Sequence, residues 1–333
     1  VNISEIKKLF KKQGFLDASL VSLDQSLSFE TYKSQIWNNN FGNMEFLRTH
    51  TNLKNPENQK FNSALVALYP YYPTANTLKS NLKIALYAQE EDYHDVVKFK
   101  LDEVIAQIKP DHPEENFLSC VDSYPVLERD LAYRAGLGWV GKNTCLLNKE
   151  NGSLFYVCEV LTTLKPKQIP YLYTDHCGTC TKCIDACPTD ALTPRKLEVD
   201  KCISYRNIED KDASLESLSK SLHGWFFGCD ICQTVCPWNE KTNGKLEMRK
   251  LSLPFELNPE AVEELKEILS SSNKKLMELY KDFPINRARG TGLKRNALKL
   301  IHEYKIEELK DFLTALEVPE KLIELKTEVL KSL

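Results

Sequence analysis

Eight cysteines between Cys177 and Cys236 constrain this 333-residue chain more than any other feature of it. Residues Cys177 to Pro188 read C-x2-C-x2-C-x3-C-P, through Cys177, Cys180, Cys183 and Cys187; residues Cys229 to Pro237 read C-x2-C-x3-C-P, through Cys229, Cys232 and Cys236. In the first spacing, three thiolates of one loop hold a 4Fe-4S cluster and the fourth, just ahead of proline, reaches a neighbouring cluster. The second run is one cysteine short, and Cys202, lying between the runs, makes up the eight thiolates that two clusters require. The exchange pattern then predicts Cys177, Cys180, Cys183 and Cys236 on one cluster and Cys187, Cys202, Cys229 and Cys232 on the other.

Disulfides and zinc are the rival uses of so many thiols. A disulfide framework belongs to small secreted chains, and this chain is long and has no N-terminal apolar h-region. Zinc sites usually pair two C-x2-C units across a longer spacer, which a tight three-cysteine loop followed by Cys-Pro does not do. Cys120, Cys145 and Cys158 stand in apolar surroundings and are expected to be packed thiols.

Composition fits a well-packed protein of two or three domains, with 42% hydrophobic and 27% charged residues. No run of about 18 apolar residues occurs, so no membrane span is expected, and a reducing cytoplasm is the expected location. The net charge of -3 gives no global positive field. A nucleic-acid partner would have to be held by a local patch.

Apolar periodicity predicts an amphipathic helix from Ile3 to Phe15, stopped near Gly14, and a second helix from Tyr93 to Ile108. Buried strands are predicted over Ser63 to Tyr69, Phe117 to Val121 and Leu154 to Thr162. A further helix is expected from about Val126 to Ala135, closed by Gly136. Alternating strands and helices make residues 1–165 an α/β domain, with Asp122 delivered at the end of a strand. Residues 166–245 form the cluster domain, and residues 246–333 a small helical region, possible in outline as an abbreviated HEAT-like unit. Glu260 to Tyr280 reads as helical, followed by a basic, glycine-containing segment from Phe283 to Asn296. Gly136-x-Gly138-x-x-Gly141 follows a helix instead of a strand, which is the wrong setting for a dinucleotide fingerprint.

Asp122-Ser123-Tyr124-Pro125 with Glu128-Arg129, the run from Ala135 to Asn143, and the eight-cysteine pattern with Cys202-Ile203-Ser204 together resemble the epoxyqueuosine reductase family. Asp92-Tyr93-His94 and Lys294-Arg295-Asn296-Ala297 also match its pattern, and the likeness spans about residues 60–300. The resemblance implies a reductive-dehalogenase-like N-terminal domain, a ferredoxin-like domain with two 4Fe-4S clusters, and a cobalamin between them. It further implies an oxidoreductase that reduces the epoxide of epoxyqueuosine to the alkene at the wobble position of tRNA, the last step in making queuosine. A monomer and a separate low-potential electron donor are expected.

Under that resemblance Asp122 is the proton donor and also touches the cobalamin. Burial beside an apolar corrin face would raise its pKa toward neutrality. The plainer role for Asp122 is to cap the helix that follows. Arg129, Lys142, Asn143, Ser204 and Asp230 are the implied further cobalamin contacts. Arg287, Arg289, Lys294 and Arg295 are the candidate tRNA phosphate contacts, with the intervening glycines letting backbone approach phosphate closely.

The chain departs from the family pattern in two missing arginines and in a C-terminal helical region shorter than in many relatives. No arginine occurs in Leu53-Lys54-Asn55 ahead of Pro56, and none in Leu86-Tyr87-Ala88. Two rival functions remain: a corrinoid iron-sulfur reductase of a small molecule, which leaves the basic segment without a purpose, and a non-catalytic electron-transfer protein, which leaves the N-terminal domain and Asp122 unexplained.

Overall fold

The computed structural model describes residues 3–23, 26–55, 60–72, 78–166, 174–242 and 245–333. Pro56 and the stretch 167–173, which adjoins the expected boundary between the first two domains, lie outside the described residues.

A four-stranded sheet organises the N-terminal part: β1 (Asp17–Ser22), β2 (Ser63–Pro70), β3 (Phe117–Cys120) and β4 (Phe155–Thr162). The spatial order is β1-β2-β4-β3, and every pairing is antiparallel. Alternation of elements along the chain leaves strand direction open, and the chain order of β3 and β4 explains how the sheet stays antiparallel. The connection from β3 to β4 runs through a helix and a hairpin of Trp139–Val140 with Leu146–Leu147, then returns beside its starting strand. β1 escapes a reading by apolar runs because Asp17, Ser19 and Ser22 interrupt it, yet Ala18, Ser19, Leu20 and Val21 are all buried.

Period-two alternation assigns the two faces of the sheet. Leu65, Ala67, Cys158 and Val160 face α1 (Ile3–Lys12) and α2 (Tyr93–Ile108), where Ile6, Phe10, Val97, Leu101 and Val104 complete one core. Ala64, Val66, Leu68, Cys120 and Leu161 face α3 (Glu128–Arg134), which supplies Leu131 and Ala132 to a second core. Each fully buried aliphatic side chain stabilises the sandwich by roughly 1.5–3 kcal/mol relative to exposure. Gly14 (φ 89°) and Gly136 (φ 70°) take the left-handed conformation that ends α1 and α3.

The cysteine segment is built from short helices: α4 (Lys182–Asp185), α5 (Ile203–Ile208) and α6 (Ile231–Thr234). Its strand Trp225–Phe227 pairs in parallel with Lys83–Ile84 from the N-terminal part. Phe226 and Phe227, with Leu82 and Ile84, enter the core of the C-terminal helices α7 (Pro259–Ser270), α8 (Arg289–Tyr304) and α9 (Ile323–Ser332). The three stretches of sequence therefore interlock.

The helix read from Glu260 to Tyr280 is two helices, broken where Ser272 caps Asn273–Leu279 by accepting from the Lys275 N–H. The basic segment differs more. Gly290 and Gly292 lie in the first turn of α8, and a Cβ on Gly290 would stand 2.8 Å from the Asn273 Cα. Gly290 thus permits two helices to cross closely, in place of the backbone approach to phosphate expected from the sequence. No helix among the described residues is long and apolar enough to cross a membrane.

Candidate redox and acid site

Helices α4 and α6 carry the two cysteine runs side by side. A cavity of about 270 Å³ opens between them, lined by Cys177, Cys180, Cys183 and Cys236 together with Lys142, Asn143 and Trp238. Those four cysteines are the set that the spacing groups on one cluster. The other four also neighbour one another. Burial first, and then Cys202 and Cys187 among its charged neighbours, raise the Cys229 thiol; burial and Cys187 act likewise on Cys202. Among the described residues no three of His, Cys, Asp or Glu converge on one point. Thiols spaced around a cavity suit the corners of a larger inorganic core.

Several residues expected to contact a corrinoid are engaged with the cysteine loops. Lys142 Nζ donates to the carbonyls of Gly178 (2.7 Å) and Cys180 (2.9 Å). Asn143 is buried and donates from Nδ2 to the Cys232 carbonyl at 3.3 Å. Asp230, also buried, accepts at Oδ2 from the Leu86 N–H (2.7 Å) and at Oδ1 from Gln233 Nε2 (2.8 Å), and burial pushes it up to about 6. Ser204 lies in the first turn of α5, where its backbone N–H and that of Tyr205 stand near the Cys202 thiol. Arg129 is exposed and donates from Nη1 to the Thr144 carbonyl at 2.6 Å. Cys145, next along, stands beside the Cys232 thiol, unlike the enclosed Cys120 and Cys158.

Asp122 follows β3 with φ at 48°, in the left-handed region. It does not cap α3, which starts at Glu128 with Leu127 in the cap position. Its carboxylate is exposed and accepts from Tyr93 Oη at 3.2 Å, while its backbone N–H donates to Glu128 Oε1 at 3.0 Å. Tyr93 is fixed by stacking on Tyr156, with centroids 4.2 Å apart and planes 10° apart. Asp92 caps α2 through the His94 N–H and also holds His94 Nδ1 at 2.6 Å, which raises the imidazole pKa.

The basic residues separate into two groups. Arg287 and Arg289 are exposed; Arg287 pairs with Glu209 at 2.7 Å, lies 5.8 Å over the Phe46 ring, and feels the charge of Asp122. Lys294 and Arg295 are buried, at 5% and 3% exposure. Arg295 donates to the carbonyls of Asp210 and Arg206, the latter at 3.1 Å, so it braces the helix that follows Cys202. The expectation that Lys294 and Arg295 meet phosphate is corrected on this ground: α8 turns both into the protein, where hydrogen bonds occupy Arg295.

The sequence reading passed over Glu159 and Lys54. Glu159 on β4 is wholly buried with no hydrogen-bond partner at either oxygen among the described residues, and Lys54 Nζ donates to the Val126 carbonyl at 3.0 Å. An ionisable residue inside the apolar run of a predicted buried strand was the available signal for Glu159.

Two family models match the chain. Residues 176–239 match the 4Fe-4S double cluster binding domain, and residues 57–123 match the family described as Epoxyqueuosine reductase QueG, DUF1730. The epoxyqueuosine reductase of Cyclobacterium marinum is 38% identical over 306 residues, covering 87% of this chain and 94% of the relative. That of Leadbetterella byssophila is 38% identical over 298 residues, covering 88% and 96%. In fold, the chain resembles the solved epoxyqueuosine reductase from Streptococcus thermophilus (TM-score 0.78, 22% identity, 98% of this chain and 88% of that one). It also resembles an epoxyqueuosine reductase solved with an epoxyqueuosine-modified tRNA-Tyr stem loop (TM-score 0.73, 24% identity, 99% and 100%).

Proposed function

The chain belongs to the epoxyqueuosine reductase family, and on that premise we propose that it reduces epoxyqueuosine to queuosine at the wobble position of tRNA, with two 4Fe-4S clusters and cobalamin. The observation that carries the reading is the joining of two features in one fold: a cysteine-lined cavity beside a second group of four cysteines, and an exposed carboxylate, Asp122, held by Tyr93. Removing the epoxide oxygen as water consumes two electrons and two protons. The clusters, when assembled, supply the electrons one at a time at low potential.

The residues present fit a corrinoid. Asp122 and Arg129 stand exposed, and the segment bonded to Arg129 runs on through Thr144 to Cys145, which lies beside Cys232. Asp122 and Arg129 are the residues that would hold the group, with Ser204 near Cys202; Lys142, Asn143 and Asp230 would support it through the cysteine loops. Cobalamin, when bound, supplies a strongly reducing cobalt centre for carbon-oxygen bond cleavage. Asp122 supplies a proton to the departing oxygen. Tyr93 orients the Asp122 carboxyl, and Glu128 fixes its backbone. Arg287 and Arg289 offer exposed positive charge to the tRNA backbone.

We assign the activity to a monomer that draws on a separate low-potential electron donor. Within it, residues 1–165 would carry the acid site, 166–245 the clusters and 246–333 the tRNA-facing helices. Expression in a bacterium whose tRNA accumulates epoxyqueuosine tests the reading. The intact chain should restore queuosine in digested tRNA, and Cys180→Ser should not; epoxide that persists with the intact, cluster-loaded chain would overturn it.

A further inference from the structure

The short helix Glu45–Thr49 buries none of its residues, and Phe46 on it is 41% exposed. A side chain so placed contributes little to the core, and a polar residue would serve the fold as well. The exposed residues beside it on the helix, Glu45, Arg48 and Thr49, are polar, so the feature is one ring and not an apolar patch of the size that docks a protein.

Phe46 is nevertheless held in a definite setting. The Arg287 guanidinium, from the far end of the chain, stands 5.8 Å over the ring centroid, and its Nε donates to Glu209 Oε1 at 2.7 Å. His50, one turn on, has its ring centroid 6.2 Å away and tilted by 59°, so it does not stack on Phe46. Both arms that meet at the ring are tied to the acid site. Lys54, at the end of the next helix, Thr51–Lys54, donates to the Val126 carbonyl in the loop that follows Asp122. On the other arm, Asp92, whose neighbour Tyr93 holds Asp122, donates its N–H to the Asp282 carbonyl at 2.7 Å. Asp282 lies just ahead of the helical turn Pro284–Ala288, which carries Arg287. Glu45 is paired with Arg48 as Glu209 is with Arg287, and Arg289 adds exposed positive charge, so the setting suits an anionic chain.

We propose that Phe46, with Arg287 over it, is a stacking platform for the loop base next to the wobble nucleoside of the tRNA. This rests on the functional reading above and gives it a binding subsite. For the epoxide to reach Asp122 the wobble nucleoside must leave the stack of loop bases, and its neighbour then loses a stacking partner. An exposed aromatic ring beside a planar guanidinium replaces that partner, whichever base is present. Arg287 supplies the charge that meets backbone phosphate, and Phe46 the apolar face that meets the base.

A synthetic tRNA anticodon stem loop with an unmodified wobble base, carrying 2-aminopurine in turn on either side of it, tests the platform on the cluster-loaded holoenzyme. Binding should quench the fluorescence at one of the two positions. Phe46→Ala should abolish that quenching and weaken affinity on the order of five- to a hundredfold. The slope of its log affinity against log salt should match that of the intact chain, because no phosphate contact is lost. Phe46→Trp, which keeps an aromatic face, should restore both quenching and affinity. No quenching at either position, Phe46→Ala that binds as the intact chain does, or a loss of affinity accompanied by a shallower salt slope would overturn the platform. An intact chain that binds no stem loop would overturn the functional reading with it.

Discussion

Tyr93 donates its phenolic hydrogen bond to Asp122 across 3.2 Å, and Tyr156 stacks flat against the ring that does so. The contact joins the first turn of α2 to the loop after β3, so the aim of the acid is set by packing between two elements. Tyr93→Phe keeps the stacking and removes the donor. It should lower kcat by roughly tenfold, the worth of one hydrogen bond to a charged group, with cluster content unchanged. Asp122→Asn should abolish turnover while the protein still binds both clusters and cobalamin. An active Asn variant would remove Asp122 from the role of acid.

Lys142 ties the Cys177 loop through the carbonyls of Gly178 and Cys180. Lys142→Met should therefore lose up to about half of the bound iron, one cluster of two. Metal analysis after anaerobic desalting checks this, and full iron content in the variant would show the clamp to be dispensable.

Charge alone does not separate the basic residues near residue 290; exposure does. Arg287→Ala and Arg289→Ala should weaken tRNA binding and each reduce the slope of log affinity against log salt by about one. Arg295→Ala should instead lower the melting temperature, because it leaves the carbonyls of Asp210 and Arg206 without their buried donor. Filter binding across a salt series, with thermal melts of the same variants, distinguishes the two classes.

The sequence made the helix Tyr93–Ile108 and the strands β2, β3 and β4 legible, because apolar periodicity and flanking Gly or Pro mark them. It did not reveal strand direction, since alternating elements are compatible with parallel and antiparallel sheets alike. β1 stayed hidden because its small and polar residues are buried by neighbours distant in sequence. Within the site, cysteine spacing is local and reads directly. Glu159 and Lys54 meet the acid site only through tertiary packing. Lys294 and Arg295 looked like surface charge because nothing local says which side of α8 faces inward.

Stability should vary with pH in a direction set by the buried carboxyls. Glu128 lies at about 8 in the fold, above its usual value of 4.5, so its protonated form favours the folded state. That contribution is complete below the unfolded value and is lost as pH rises through the folded one. Melting temperature should thus decline between about pH 5 and about pH 8, and decline less in Glu128→Gln. A melting curve that is flat over this window, or equally steep in the variant, would contradict the assignment.

The most direct test is anaerobic reconstitution of the chain with iron, sulfide and cobalamin, followed by strong chemical reductant, tRNA carrying epoxyqueuosine, and mass analysis of the released nucleosides. The account predicts conversion to a nucleoside lighter by one oxygen, dependent on Asp122 and on both groups of four cysteines. Protein that holds both clusters and the corrinoid yet leaves the epoxide intact would contradict it.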